Sequence, residues 1–293
     1  MDINNLTYQF KTSNVVVKLI VINSIIFLAV RLIAFFLGMS PGQLTQWFIL
    51  PESAGSVLLQ PWSLLTYAFL HFGFFHILFN MMWLYWFGRF VLNLFSEKRL
   101  LTIYLLGAFF GGLLYVVTHN VFPALIGSSA GLIGASGAVT AIIVFIATYT
   151  PNTEVMIFRF RIKLWQIALV LVLLDLVLLP NSDNAGGRLA HIGGAIFGFV
   201  YAQQLQKGND IGKWFENIMD WVENLFKSRK ERPFTKVHRT KAAASKQKKN
   251  TSKDKKEDNQ KKIDGILDKI GKSGYDSLTK AEKDFLFKAG KDD

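Results

Sequence analysis

The chain has 293 residues, no cysteine and a formal net charge of +12, yet its mean hydropathy is +0.28 beside a pI near 9.7. The absence of cysteine excludes disulfides, thiolate catalysis and Cys-based zinc sites. High hydropathy and high charge coexist because they are segregated. Residues 1–206 hold 10 Lys/Arg against 6 Asp/Glu, and residues 207–293 hold 23 against 15. The first part is a hydrophobic body and the second a basic tail.

A spanning helix needs about 20 mostly apolar residues. Six stretches approach that length: 15–38, 73–95, 100–118, 134–150, 164–180 and 189–206. Polar residues precede the first, which lacks a small-residue cleavage site, so it reads as a span and not a cleavable signal. Lys18, Arg31, Arg89 and Asp175 interrupt the spans. At such depth they must snorkel, pair or line a wet cavity. The third, fourth and sixth spans are rich in Gly, Ala and Ser, which let membrane helices approach closely.

Basic flanks set the expected orientation. With the N-terminus inside, Lys11, Lys18, Lys98, Arg99, Arg159, Arg161, Lys163 and the tail face the cytoplasm, and Arg188 is the one basic residue left outside. That asymmetry follows the positive-inside pattern. The expectation is a multi-pass protein of the bacterial cytoplasmic membrane with both termini cytoplasmic. The outer segment 39–72, with Trp47, Phe48, Leu58, Leu59 and Trp62, is too apolar for a solvated loop. It reads as a partly helical loop lying in the outer leaflet.

In the tail, residues 207–226 place Ile211, Trp214, Phe215, Ile218, Val222, Leu225 and Phe226 at helical spacing among charges. Two readings stand: an amphipathic helix on the inner membrane surface, or an extension packed on its own body. Residues 227–262 are dominated by lysine and read as a basic disordered linker. Attraction to anionic lipid is expected there, and no nucleic acid. Residues 263–293 regain periodicity as a small two-helix module, with Thr279 and Glu282 in capping-box spacing. Such a module suits a cytoplasmic partner.

Few groups in the body can do chemistry. Ser136 lies in Gly134-Ala135-Ser136-Gly137 at the start of the fourth span. His191 opens the sixth span in Ala190-His191-Ile192-Gly193-Gly194. His76 and Asn80 share a helix face at the start of the second. In a six-span topology these three spans run from outside to inside, so the four residues converge at one depth. A serine needs an adjacent base, which His191 can be. An oxyanion needs fixed donors, which His76, Asn80 and the Ser136 backbone N–H can be. Gly194 and Gly198 form a small face able to pack the sixth span against the fourth, where Gly134 and Gly137 lie.

Those motifs, with Pro61-Trp62-Ser63-Leu64-Leu65-Thr66, His71, His76-Ile77-Leu78-Phe79-Asn80 and Gly88, resemble the rhomboid intramembrane proteases over residues about 60–200. The resemblance implies an all-α, six-transmembrane-helix rhomboid bundle over residues 1–206. It implies Ser136 as nucleophile, His191 as base, and His76 and Asn80 as oxyanion donors. Substrates would be single-span membrane proteins cut near the outer end of their helix, with no cofactor and no metal. The sequence departs from many members at Ser63, where they carry Arg, and at Leu92, where they carry Glu. The family works as a dyad, so Asp175 is expected first as a buried carboxyl paired with a neighbouring polar group, with a third catalytic member that orients His191 as the lesser reading. Two alternatives remain: a catalytically silent binder of transmembrane helices, and a small transporter.

Overall fold

The computed structural model describes residues 3–122, 125, 131–157, 159–181, 184–226 and 253–289. It divides into two compact units, residues 1–230 and 231–293.

The first unit opens with α1 (Ile3–Thr12), a helix not foreseen from the sequence, and α2 (Val15–Leu37). Asn14 starts α2 by accepting from the Val17 N–H at 3.1 Å, and Gly38 ends it at φ +65°. The outer loop folds into α3 (Pro41–Leu44), α4 (Ala54–Leu59), α5 (Ser63–Thr66) and a 3-10 turn at Tyr67–Phe69. Trp62 Nε1 donates to Trp47 O at 2.7 Å and Thr66 Oγ1 to Phe48 O at 2.9 Å, which holds the loop together. Its Leu58 and Leu59 side chains remain exposed.

Next come α6 (Phe74–Leu92), α7 (Glu97–Val121), α8 (Ser136–Tyr149), α9 (Leu164–Leu178) and α10 (Ala185–Gln206). With α2, these occupy the six stretches read as spans. By length and apolarity alone, α2 and α7 qualify to cross a membrane, and a third candidate is the pair Ser63–Phe69 plus α6, bent by 98°. The helices α8 and α9 are apolar but shorter.

The core is α8 wrapped by its neighbours: every residue from Gly137 to Ala147 is buried. A Cβ on Gly194 would collide with Gly137 O, and one on Gly198 with Ala141 O. These two glycines let α10 lie directly on the backbone of α8. From the other side, Gly111 of α7 would put a Cβ 2.7 Å from Ala190 O. Outside this trio, α2 and α9 turn apolar faces outward, with Phe35, Phe36 and Val177 among the most exposed. Apolar surface on that scale suits lipid and not water.

The all-α expectation is corrected between α8 and α9. There β1 (Glu154–Ile157) and β2 (Phe160–Lys163) pair antiparallel, with Glu154 opposite Lys163 and Ile157 opposite Phe160. Their β-branched and aromatic content favours strand, and four-residue strands leave too short a pattern to register in a sequence scan.

Beyond α10, α11 (Lys213–Phe226) is the helix expected of the amphipathic segment, and it packs on the body as the second of its two readings had it. One face docks on the start of α7: Arg99 pairs with Asp210 and with Glu216 (3.3 Å), and Lys98 pairs with Asp220. Phe215 packs on the core. The other face exposes Trp214, Ile218, Trp221 and Leu225.

The second unit holds α12 (Lys253–Ser273), a 3-10 turn and α13 (Lys280–Ala289). Residues 227–252 of the expected linker lie outside the described residues. The remainder of that linker is corrected: α12 begins at Lys253, ten positions before the expected module. Its Lys, Glu and Gln residues are good helix formers despite their charge. Thr279 caps α13, and the Glu282 carboxylate accepts from the Thr279 N–H at 2.8 Å.

Candidate active site

Ser136 is the first residue of α8, and the turn before it is pinned from three sides. Leu132 exchanges backbone hydrogen bonds with Leu50 of the outer loop at 3.1 and 2.8 Å. The Gly134 N–H donates to Tyr67 O at 2.9 Å. The Ala135 N–H donates to His71 Nε2 at 3.2 Å. Tyr67 is fixed in turn, its hydroxyl donating to Ala108 O of α7 at 2.7 Å. Gly134 adopts φ +114°, a backbone region that side chains disfavour. A Cβ there would also stand 2.6 Å from His76 Nε2, so glycine is what lets the His76 ring approach the serine turn.

His76 and Asn80 occupy the first turns of α6. The Asn80 Nδ2 donates one proton to His76 O at 3.0 Å. An amide nitrogen carries two N–H groups, so one stays free for the cavity. The His71 and His76 rings meet edge to face with centroids 4.9 Å apart.

His191 stands on α10 beside Ala190, whose carbonyl a Cβ on Gly137 would approach to 3.1 Å. Its Nδ1 lies 3.0 Å from Asp175 Oδ2. Arg188 Nη1 donates to Asp175 Oδ1 at 3.1 Å. Asp175 therefore has the polar partner expected of it in Arg188. It also contacts His191, which the expected dyad did not include.

A cavity of about 510 Å³ collects these groups: Ser136, His191, His76, Asn80, Asp175 and Arg188 all line it. Ser136 and His191 share no direct hydrogen bond among the described residues. Such bonds often tighten only when substrate arrives. Among the described residues, no group of three or more His, Asp or Glu side chains is arranged to hold a metal ion.

Sequence reasoning placed four of these residues at one depth, and they line one cavity. It overlooked Tyr67 and His71 as supports of the serine turn, and Arg188 as a partner of Asp175. For Arg188 a signal existed, since it sits three residues before His191 and thus on the same helix face.

Fold and site together define a class: a helical membrane protein with a serine–histidine cavity inside its apolar body. The rhomboid domain matches residues 58–207, half of the chain, and the protein belongs to the rhomboid family. Among curated relatives, it is 28% identical over 157 residues to RHOMBOID-like protein 12, mitochondrial, of Arabidopsis thaliana, covering 50% of this chain and 47% of that one. It is 33% identical over 141 residues to RHOMBOID-like protein 7 of the same plant, covering 48% and 42%. It is 25% identical over 151 residues to the Presenilin-associated rhomboid-like protein, mitochondrial, of Bos taurus, covering 50% and 38%. The chain thus spans less than half the length of these relatives. Membrane residence follows from the family and the apolar helices. The mitochondrial relatives lend no support to the expected bacterial cytoplasmic membrane. Residues 249–288, which include all of α12 and all but the last residue of α13, match a separate family of unknown function, DUF6576.

Proposed function

We propose that this protein is an intramembrane serine endopeptidase that cleaves single-span membrane proteins near the outer end of their transmembrane helix. The observation that carries the reading is the shared cavity of Ser136, His191, His76 and Asn80. In this mechanism Ser136 Oγ attacks the scissile carbonyl carbon while His191 Nε2 takes its proton. The carbonyl oxygen becomes an oxyanion held by Asn80, His76 and the Ser136 backbone N–H. The C–N bond then breaks, His191 returns its proton to the leaving amine, and water releases the acyl group by the same route in reverse.

The topology consistent with this chemistry uses α2, α6, α7, α8, α9 and α10 as six spans with both termini on the cytoplasmic side. The 14 residues of α8 make a helix roughly 21 Å long, against a hydrocarbon core of about 30 Å. A short helix beginning at Ser136 sets the nucleophile below the membrane surface, where a span would meet it. The exposed apolar face of α11 rests on the inner leaflet. The α12–α13 module meets a cytoplasmic partner.

The test is labelling of the purified chain by a serine-reactive fluorophosphonate, in parallel with cleavage of a single-span substrate in liposomes. Labelling and cleavage that both vanish in Ser136→Ala are expected. Tight binding of the span with neither reaction would instead make the protein a silent binder of transmembrane helices.

A further inference from the structure

We propose that Asp175 is a positioning residue that holds His191 as an Nδ1–H tautomer, with Arg188 fixing the carboxylate from its other side. The inference rests on the protease reading above and adds a third and fourth residue to its base.

The geometry is a chain of three side chains on two helices. Asp175 Oδ2 stands 3.0 Å from His191 Nδ1, and Asp175 Oδ1 stands 3.1 Å from Arg188 Nη1. A carboxylate only accepts, so the nitrogen facing it must carry the proton. A neutral imidazole has one N–H, so Nε2 is left as the acceptor. That is the nitrogen a serine base must present to the hydroxyl. Without the carboxylate, either tautomer is open to the ring, and the one protonated at Nε2 cannot take the serine proton.

Arg188 and His191 lie three residues apart on one face of α10, and both reach across to the same residue of α9. Each engages a different carboxylate oxygen, so the carboxylate cannot rotate away from the imidazole without losing its ion pair. The Asp175 side chain is only 11% exposed and that of Arg188 23%. A charge at that depth needs a partner to be tolerated. Arg188 supplies it, so the carboxylate survives beside the base in an otherwise apolar helix. Asp175 hydrogen-bonds to His191 and Arg188 and, among the described residues, not to Ser136, His76 or Asn80, so its effect passes through His191.

The experiment uses the full-length chain in detergent, labelled with 15N-histidine. The chain has five histidines, and His191 is assigned by the signal lost in His191→Gln. Wild type should show the neutral His191 ring protonated at Nδ1. In Asp175→Asn that preference should be lost, and kcat for a single-span substrate should fall roughly 100-fold or more with KM unchanged. Asp175→Glu should restore the tautomer and bring kcat within about tenfold of wild type. A residue with a purely structural role would move neither the tautomer nor kcat alone. An Nε2–H ring in wild type overturns the proposal without any variant having to fold. A wild-type kcat in folded Asp175→Asn overturns it as well. If wild type takes no fluorophosphonate, the protease reading fails, and the nitrogen spectrum still decides the Asp175 contact separately.

Discussion

Helices α8 and α9 are neighbours of nearly equal length and apolarity, yet they are built for opposite surroundings. Of the residues in α8, all from Gly137 to Ala147 are buried, whereas α9 buries only Leu164, Ala168 and Asp175. Ser136 sits at the head of the enclosed helix. Asp175, whose carboxylate faces His191, sits on the open one. Backbone contact at Gly194 and Gly198 fixes α8 to α10, and so fixes the distance from Ser136 to His191. Side chains tie α9 to α10 at this level, through Asp175, Arg188 and His191. Close backbone packing is thus concentrated around Ser136 and His191, and the open helix contributes one buried polar residue, Asp175.

If this contrast governs activity, the largest effects come from the heads of α8 and α10. Ser136→Ala and His191→Ala should each abolish cleavage of a single-span substrate while leaving the helical circular dichroism spectrum unchanged, because neither side chain fills much core. Cleavage by Ser136→Ala at the wild-type rate would remove the serine from the chemistry.

Next is the oxyanion side. Losing one such donor costs about 2.7–4 kcal/mol in transition-state stabilisation. Asn80→Ala should therefore lower kcat by about 100- to 1000-fold and leave KM nearly unchanged. A raised KM with unchanged kcat would mean that Asn80 only holds substrate.

The packing difference itself can be sharpened by stability. Gly194→Val drives a side chain into Gly137 O, where backbone cannot move aside. It should destabilise by about 3 kcal/mol, the upper end for overpacked cores. Val177→Ala on α9, 70% exposed, should stay within about 0.5 kcal/mol. Thermal unfolding in one detergent compares the two. Equal melting temperatures for both variants would show that α8 and α10 are not welded in the way their contacts imply.

Much of this arrangement is legible in the sequence. Apolar run lengths located six helices, and Ser136, His191, His76 and Asn80, which line one cavity, could be grouped because alternate spans were expected to run the same way. What could not be read was rotation. Whether Asp175 faced lipid, α8 or α10 depends on how α9 turns about its own axis, and an apolar helix with no polar stripe carries no such mark. The supports of the serine turn were hidden for a different reason. Tyr67 acts partly through its carbonyl oxygen, which every residue has, and His71 grips a backbone N–H. In the tail, composition misled: a run of Lys, Asp and Glu that cannot bury a core can still form a helix, and α12 starts at Lys253.

The smallest effect expected lies in the second unit and depends on pH. Glu282 is held down to about 2 from an ordinary 4.5, first by the Thr279 backbone N–H, then by Lys269 and the Thr279 hydroxyl. Its carboxylate accepts from Lys269 Nζ at 3.1 Å across the two helices. A lowered carboxylate value means that the folded form prefers the ionised group. The contribution is therefore fully present above about 4.5 and is lost as pH falls toward about 2. The group is only partly buried, so salt screens the Lys269 part. In the full-length chain, amide protection in α13 relative to Glu282→Gln should be highest at neutral pH. The difference should shrink between about pH 4.5 and 2 as the wild-type carboxylate takes up its proton. Raising the salt concentration should reduce the neutral-pH difference only in part, because the hydrogen bonds to Thr279 close the capping box at the head of α13 and do not depend on a distant charge. A pH dependence identical in wild type and Glu282→Gln would remove Glu282 from the clasp between α12 and α13.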